Sequence, residues 1–326
     1  VWVSEIMLQQ TRIEAVKPYY ARFMEELPDI KSLAGVEEER LLKLWEGLGY
    51  YSRARNLKKC AIAVTEHHGG RLPADYEALK RLPGIGPYTA GAIASIAYGI
   101  AVPAVDGNVL RVMARLLASR EDISNAAVKR SRERLLLRHM PDGRAGEFNE
   151  ALMELGEIVC IPGGRPLCGD CPLQDLCLAH RMGIEAQLPV KAPKKARRRE
   201  DRTVLILLCE EEGRSLVGLR RRPETGLLAG LYELPSLEGR IPQEELAGRL
   251  LSLGFTAGEA AQAKEAAPAG EARHIFSHVE WDMTGYVIRL AGRPQAEGLL
   301  FVEKRELKEG YALPTAFRAF RRYITE

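Results

Sequence analysis

Two groups of residues in this sequence are spaced for chemistry. The first is the turn Leu82-Pro83-Gly84-Ile85-Gly86, followed about twenty positions later by one acidic residue, Asp106. Glycines permit a tight turn with bare backbone, and the first N–H groups of a following helix then face outward, where the helix dipole favours an anion. Such a turn can grip a phosphate through backbone donors, a grip indifferent to base sequence. A carboxylate beside it could reach the adjoining sugar. The second group is Cys160, Cys168, Cys171 and Cys177, spaced C-x7-C-x2-C-x5-C. Four thiolates so close can enclose one soft metal centre, and zinc and a [4Fe–4S] cluster both satisfy the donor set. Cys60 and Cys209 stand apart and read as buried structural thiols.

The elements that must hold these groups fall into two textures. Residues 1–190 read as nearly all helix, with apolar residues at helical spacing in Ile6–Met24, Leu41–Val64, Tyr88–Tyr98, Val109–Leu117 and Phe148–Val159. Pro28, Gly69-Gly70, Pro73, Pro103 and Pro141 punctuate them. Residues 191–202 carry seven basic side chains and read as an exposed linker, either a solvated charge run or a DNA contact. Beyond it, Thr203–Cys209 and Ser215–Leu219 read as strands around a turn at Glu212-Gly213. His274–Trp281 and Gly285–Leu290 read as a further strand pair, and Gln243–Leu253 and Pro314–Ile324 as helices. Residues 203–326 are therefore expected to form an α+β domain.

Composition sets outer bounds. The chain has 326 residues, 46% hydrophobic and 28% charged, long enough for two domains. A net charge of +3 is compatible with nucleic acid. No apolar run approaches the ~18 residues of a membrane span, and the opening does not read as a signal peptide. It begins at Val1 within an apparent helix, so the natural N-terminus is expected to lie further upstream.

The segment LPGIGPYTAGAI, with Pro-Ala-Val-Asp106 after it, resembles the helix-hairpin-helix (82–91) and the aspartate loop of the base-excision DNA glycosylases. The resemblance implies a [4Fe–4S] cluster on the loop 160–177, held by Cys160, Cys168, Cys171 and Cys177, although Ile161–Leu167 is one residue longer than the family's usual first spacing. Within that superfamily, the endonuclease III-like glycosylase/lyases place a nucleophilic lysine where this chain has Tyr88. A phenol cannot form a Schiff base. The MutY adenine glycosylases are the other branch, and the chain is similar to them throughout. WVSEIMLQQT matches the stretch with their catalytic glutamate, here Glu5; LGYYSRARNL matches a DNA-wedging loop; FNEALMELG matches an adenine-pocket helix; and Phe276-Ser277-His278 matches a lesion-reading loop.

The fold so implied is multidomain: an all-α helix-hairpin-helix glycosylase domain with an iron–sulfur loop, then an α+β Nudix-like domain. The implied partner is duplex DNA with adenine opposite 8-oxoguanine or guanine, met by a monomer in a bacterial cytoplasm. Glu5, among Trp2, Ile6 and Met7, would be the general acid that protonates the leaving adenine. Asp106 would stabilise the oxocarbenium-like sugar, as in two-carboxylate glycosidases. Asn108 and Tyr88 would complete the site, and Glu150 would contact the flipped base. Gln10, Leu48 and Tyr50 would fill the gap left in the stack, with Gly84 and Gly86 on the backbone. Phe276, Ser277 and His278 would read 8-oxoguanine. Gly239 and Glu245 echo the start of the Nudix motif G-x5-E-x7-R-E-x2-E-E-x-G, but Leu253 and Gly254 stand where Arg-Glu is required, so hydrolysis of nucleotides is not expected. The competing expectations are an endonuclease III-like glycosylase/lyase and a non-catalytic iron–sulfur protein that binds DNA.

Overall fold

The structure, a computed structural model, describes residues 1–193, 196–294 and 296–325. Among the described residues, eleven α-helices precede the sheet: α1 Trp2–Leu8, α2 Ile13–Glu26, α3 Ile30–Gly35, α4 Glu38–Leu44, α5 Ser52–His67, α6 Tyr76–Lys80, α7 Pro87–Ala92, α8 Gly107–Leu116, α9 Ala126–His139, α10 Ala145–Glu154 and α11 Leu178–Arg181. Helices α7 and α10 continue as π-helical turns over Ile93–Ala97 and Leu155–Val159. None of the described helices is long and apolar enough to cross a membrane.

Two segments expected as continuous helices are broken. The run Ile6–Met24 splits between α1 and α2 at Gln10 (φ 57°), and Leu41–Val64 splits between α4 and α5 at Gly47 (φ 105°), Gly49 (φ 70°) and Tyr50 (φ 49°). The apolar period passes through the second break and resumes at Ile13 after the first, but left-handed residues cannot stay inside a right-handed helix. Helix α9 lies outside the five periodic runs because it is mostly charged, burying only Val128 and Leu136.

The strands are β1 Arg198–Glu211, β2 Arg214–Arg221, β3 Tyr232–Glu233, β4 Ser236–Glu238, β5 Ala267–Ile275, β6 Val279–Leu290 and β7 Leu299–Glu303. They form a mixed sheet of order β3-β2-β1-β6-β5, with β4 on β1 and β7 on β2. The parallel pair β1–β6 runs in register from Arg198 opposite Val279 to Cys209 opposite Leu290. Alternation along β1 divides the core. Val204, Ile206 and Leu208 pack on one face, Leu205, Leu207 and Cys209 on the other. Helices α12 Leu246–Ser252, α13 Ala257–Ala261, α14 Lys304–Gly310 and α15 Arg322–Thr325 complete this part.

The strands correct two readings. Strand β1 begins at Arg198, inside the segment read as linker, because the Arg198 and Arg199 side chains stay exposed while the backbone pairs with β6; Lys194 and Lys195 lie outside the described residues. His274–Trp281 is not one strand. It is the end of β5, a turn at 276–278 and the start of β6, closed by Phe276 N–H donating to Val279 O at 2.8 Å. Contacts divide the chain into two compact units, Val1–Gly35 with Asn56–Lys194 and Val36–Arg55 with Lys195–Glu326. Residues 36–55, read within the helical domain, thus pack with the second unit. Lys43 Nζ donates to Tyr311 O at 2.9 Å, Leu313 N–H to Glu46 Oε1 at 3.1 Å, and Arg55 Nη1 to Ala229 O at 2.6 Å.

Candidate active site

In the first unit, α1, the hairpin, α7 and α8 surround a cavity of about 760 Å³ whose walls include Glu5, Gln10, Gly84, Gly86, Tyr88, Asp106 and Asn108. The hairpin enters α7 through Gly84, at φ 74°, where an added Cβ would lie 2.6 Å from the Asn56 side chain; Gly86 is the N-cap and Pro87 takes the first helical position. At the next position, Tyr88 donates its phenol proton to Glu5 Oε2 at 2.6 Å. Burial pushes the Glu5 carboxyl above its ordinary range; the Tyr88 hydrogen bond opposes this, and the negative charges of Asp106 and Glu150 reinforce it. Burial and Glu5 also push the Tyr88 phenol up, so it remains a donor. Glu150 is exposed on α10, outside the wall residues of the cavity, and reaches the site through its field on Glu5.

Asp106 caps α8, its Oδ1 accepting from Val109 N at 2.8 Å. Burial raises its carboxyl too, while the backbone N–H groups of Val109 and Asn108 and the charge of Arg111 pull it back. Asn108 thus holds Asp106 through its backbone. Its side chain turns away, donating to Glu157 Oε2 at 3.3 Å and accepting from Arg111 Nη2 at 2.8 Å. Glu157 and Arg111 were not singled out by sequence. Glu157 comes from the π turn 49 positions from Asn108, a pairing that only the fold reveals. Lys129, on the first turn of α9, also reaches the cavity wall.

The opposite end of α8 carries the cysteine loop. Arg115, buried, donates from Nη1 to Cys160 O at 3.1 Å, Cys160 Sγ at 3.2 Å and Ile161 O at 3.0 Å, and from Nε to Leu188 O at 3.0 Å. Arg111 Nε donates to Cys160 O at 2.7 Å. All four thiols line one small pocket with Val159, Pro166 and Leu167. Burial first, then Glu185 and the other three thiols, hold the Cys168 thiol above its ordinary range. Cys168 also lies close to His180 and Glu185. The donor chemistry suits a soft metal centre: four thiols converge where two buried guanidinium groups fix the loop and offset thiolate charge.

The second unit has its own cavity of about 560 Å³, walled by Leu48, Tyr50, Phe276, Ser277 and His278 among others. Sequence placed these in two unrelated stretches, and the structure brings all five together. Tyr50 is 46% exposed whereas Leu48 is 7% exposed, and the Arg53 guanidinium lies 5.6 Å from the Tyr50 ring centroid. Phe276 packs edge-on against Trp281, with ring centroids 4.9 Å apart. Ser277 Oγ and His278 Nδ1 lie 3.1 Å apart at the tip of the β5–β6 turn. Helix α12 ends at Ser252, leaving Leu253 and Gly254 beyond it, with Gly254 at φ 89°.

Residues 3–137 match the HhH-GPD superfamily of base excision DNA repair proteins, and residues 203–322 match the NUDIX domain. The chain is 36% identical to a rat adenine DNA glycosylase, over 98% of this chain and 71% of that protein. It is 38% identical to the human adenine DNA glycosylase, over 90% of this chain and 61% of the human protein. Its fold is similar to endonuclease III in a non-covalent complex with DNA, with a TM-score of 0.50 and 26% identity over 56% of this chain and 84% of that one. The chain spans less than two thirds of the human relative and rather more of the rat one. With both domains matched in order and the rat protein covered over most of its length, the chain belongs to the adenine DNA glycosylases of base excision repair.

Proposed function

We propose that this chain is a monofunctional glycosylase that hydrolyses the N-glycosidic bond of adenine paired with 8-oxoguanine or guanine in duplex DNA, as a monomer in a bacterial cytoplasm. The observation that carries the reading is the 2.6 Å hydrogen bond from Tyr88 to Glu5 in the cavity that also holds Asp106. Burial favours neutral Glu5, and Tyr88 occupies Oε2, which leaves Oε1 to present the proton to a ring nitrogen of the flipped adenine. As the C1′–N bond breaks, its electron pair leaves with the protonated base and positive charge grows on the sugar. Asp106, kept acceptor-ready by two backbone N–H groups and Arg111, stabilises that charge; water then adds to C1′. Gly84 and Gly86 would receive the backbone phosphate, Glu150 would steer the base, and Gln10, Leu48 and Tyr50 would hold the opened stack. Phe276, Ser277 and His278 would read the opposite base. The domains are proposed as a glycosylase domain within 1–190, with the hairpin at 82–91, and a Nudix-like domain over 203–326, to which β1 from Arg198 and residues 36–55 add.

Cys160, Cys168, Cys171 and Cys177 would hold a [4Fe–4S] cluster, which when bound ties the loop 160–177 into a rigid surface for docking on DNA. Iron and acid-labile sulfide measured per chain test that assignment, and zinc in their place would refute it. The reaction is tested by adenine release from 8-oxoguanine:adenine duplexes. Glu5→Gln and Asp106→Asn should each slow release by ~10²-fold or more. Wild-type release in either variant would remove that residue from the mechanism, and an efficient borohydride-trapped adduct would replace hydrolysis with lyase chemistry.

A further inference from the structure

Five described non-glycine residues hold a positive φ: Gln10, Tyr50, Ala118, Glu212 and Leu228. Glu212 belongs to the β1–β2 turn, and Ala118 closes α8, with Ser119 N–H donating back to Ala114 O at 2.8 Å. Gln10 and Tyr50 stand in the walls of the two cavities, and so does Leu228, in the second. A leucine at φ 56° is strained, because its Cβ crowds the backbone. Turning the chain does not require it; Gly226 and Gly230, on either side, supply positive φ without strain. Local strain of this kind concentrates where a side chain has to be presented.

The loop that presents Leu228 is pinned. Arg55 Nη1 donates to Ala229 O at 2.6 Å, Arg222 Nε to Leu227 O at 2.8 Å, and Gly230 N–H to Pro223 O at 2.9 Å. Leu228 and Phe276 both pack, half-buried, on the same core cluster. The cavity therefore has an apolar part at Leu48, Leu228 and Phe276 and polar groups at Ser277 and His278.

We propose that Leu228 is a specificity-determining residue for 8-oxoguanine, an inference that rests on the reader role proposed for this cavity. 8-Oxoguanine differs from guanine by a carbonyl at C8 and a proton on N7. In water that difference is small. With Leu228 closing the apolar side, water is kept from the base edge, and a mismatched donor or acceptor costs its desolvation. Ser277 and His278 supply the polar partners, and Leu228 makes their pairing count.

The test is the ratio of affinities of the full chain for 8-oxoguanine and guanine duplexes carrying a non-hydrolysable adenine analogue. Leu228→Gly suits the backbone but removes the side chain, and it should lower the ratio about tenfold, mainly by weakening the 8-oxoguanine duplex. Leu228→Met should restore it. Should the glycine variant unfold, Leu228→Asn, tolerant of left-handed backbone, gives the same comparison. A wild-type ratio in the Leu228 variant beside a lost ratio in Ser277→Ala overturns the role of Leu228 and leaves the reader cavity standing. Wild-type ratios in both overturn the reader cavity itself. Equal loss on both duplexes makes Leu228 a packing residue and also overturns the inference.

Discussion

Glu5 and Asp106 are both pushed upward by burial, yet the groups around them differ. Besides burial, Glu5 meets the Tyr88 phenol, the Val1 ammonium and the negative fields of Asp106 and Glu150; Asp106 meets two backbone N–H groups, the Arg111 guanidinium and the negative field of Glu157. Release should therefore follow a bell-shaped pH profile, failing on the alkaline side as Glu5 loses its proton and on the acid side as Asp106 gains one. Tyr88→Phe tests the assignment of the limbs. The Tyr88 hydrogen bond lowers the Glu5 pKa against burial, so its removal raises that pKa further. The alkaline limb should move to higher pH, the acid limb should stay, and the plateau should fall ~10-fold as Glu5 loses its orientation. An unmoved alkaline limb would detach Tyr88 from the acid. Residue types at this scale were legible in the sequence, where Glu5, Tyr88 and Asp106 stand in separate motifs; that the three line one cavity is read from the fold. The role of Asn108 was legible only in part, since one residue carries two hydrogen-bonding groups and only the fold shows that the backbone serves Asp106 while the side chain serves Arg111 and Glu157.

Helix α8 is the element that turns these residues into a site. Asp106 caps its start, while Arg111 and Arg115, one turn apart on a buried face, hold the cysteine loop. Against its first turn lies the π segment Leu155–Val159, packed so closely at Gly156 that an added Cβ would stand 2.6 Å from Asn108 Cβ and 3.1 Å from its backbone. Gly156→Ala should therefore displace the start of α8. Overpacking of this kind costs ~1–3 kcal/mol, and a misplacement of the reacting groups approaching 1 Å costs ~10²-fold in rate. Single-turnover release should drop at least ~10-fold with a lower Tm. A lower Tm with an unchanged rate would show that the π segment supports stability alone. Elements were legible where periodicity and punctuation agreed, as in α8 and β2. They were hidden where the apolar pattern ran on through a break. The left-handed Gln10 carries no compositional signal, the Gly47 and Gly49 beside Tyr50 are outweighed by the apolar spacing around them, and strand-forming Ile275, Phe276 and Val279 flank the turn that closes β5 on β6.

At the scale of the whole chain, sequence order and packing disagree over residues 36–55, which join the unit containing the sheet. A change in texture near residue 202 marks where the α+β pattern begins, but no local signal reports that α4 is anchored by residues more than 250 positions away. The consequence concerns truncation. Removing the residues after 202 leaves Lys43 without the Tyr311 carbonyl and Glu46 without the Leu313 N–H and the Arg321 guanidinium. Leu48 and Tyr50 lie between α4 and α5, on the segment so released. Truncation should then remove more than lesion reading: hydrogen exchange across 36–55 should accelerate strongly, and adenine release from guanine:adenine duplexes should fall by ~10-fold or more, because Leu48 and Tyr50, proposed to hold the opened stack, are no longer anchored. Ser277→Ala, which leaves α4 anchored, should impair discrimination while leaving exchange across 36–55 as in the full chain. If the truncated protein protects 36–55 as well as the full chain does, this segment is held by the helical unit alone, and the two functions separate at residue 202 as the sequence pattern suggests.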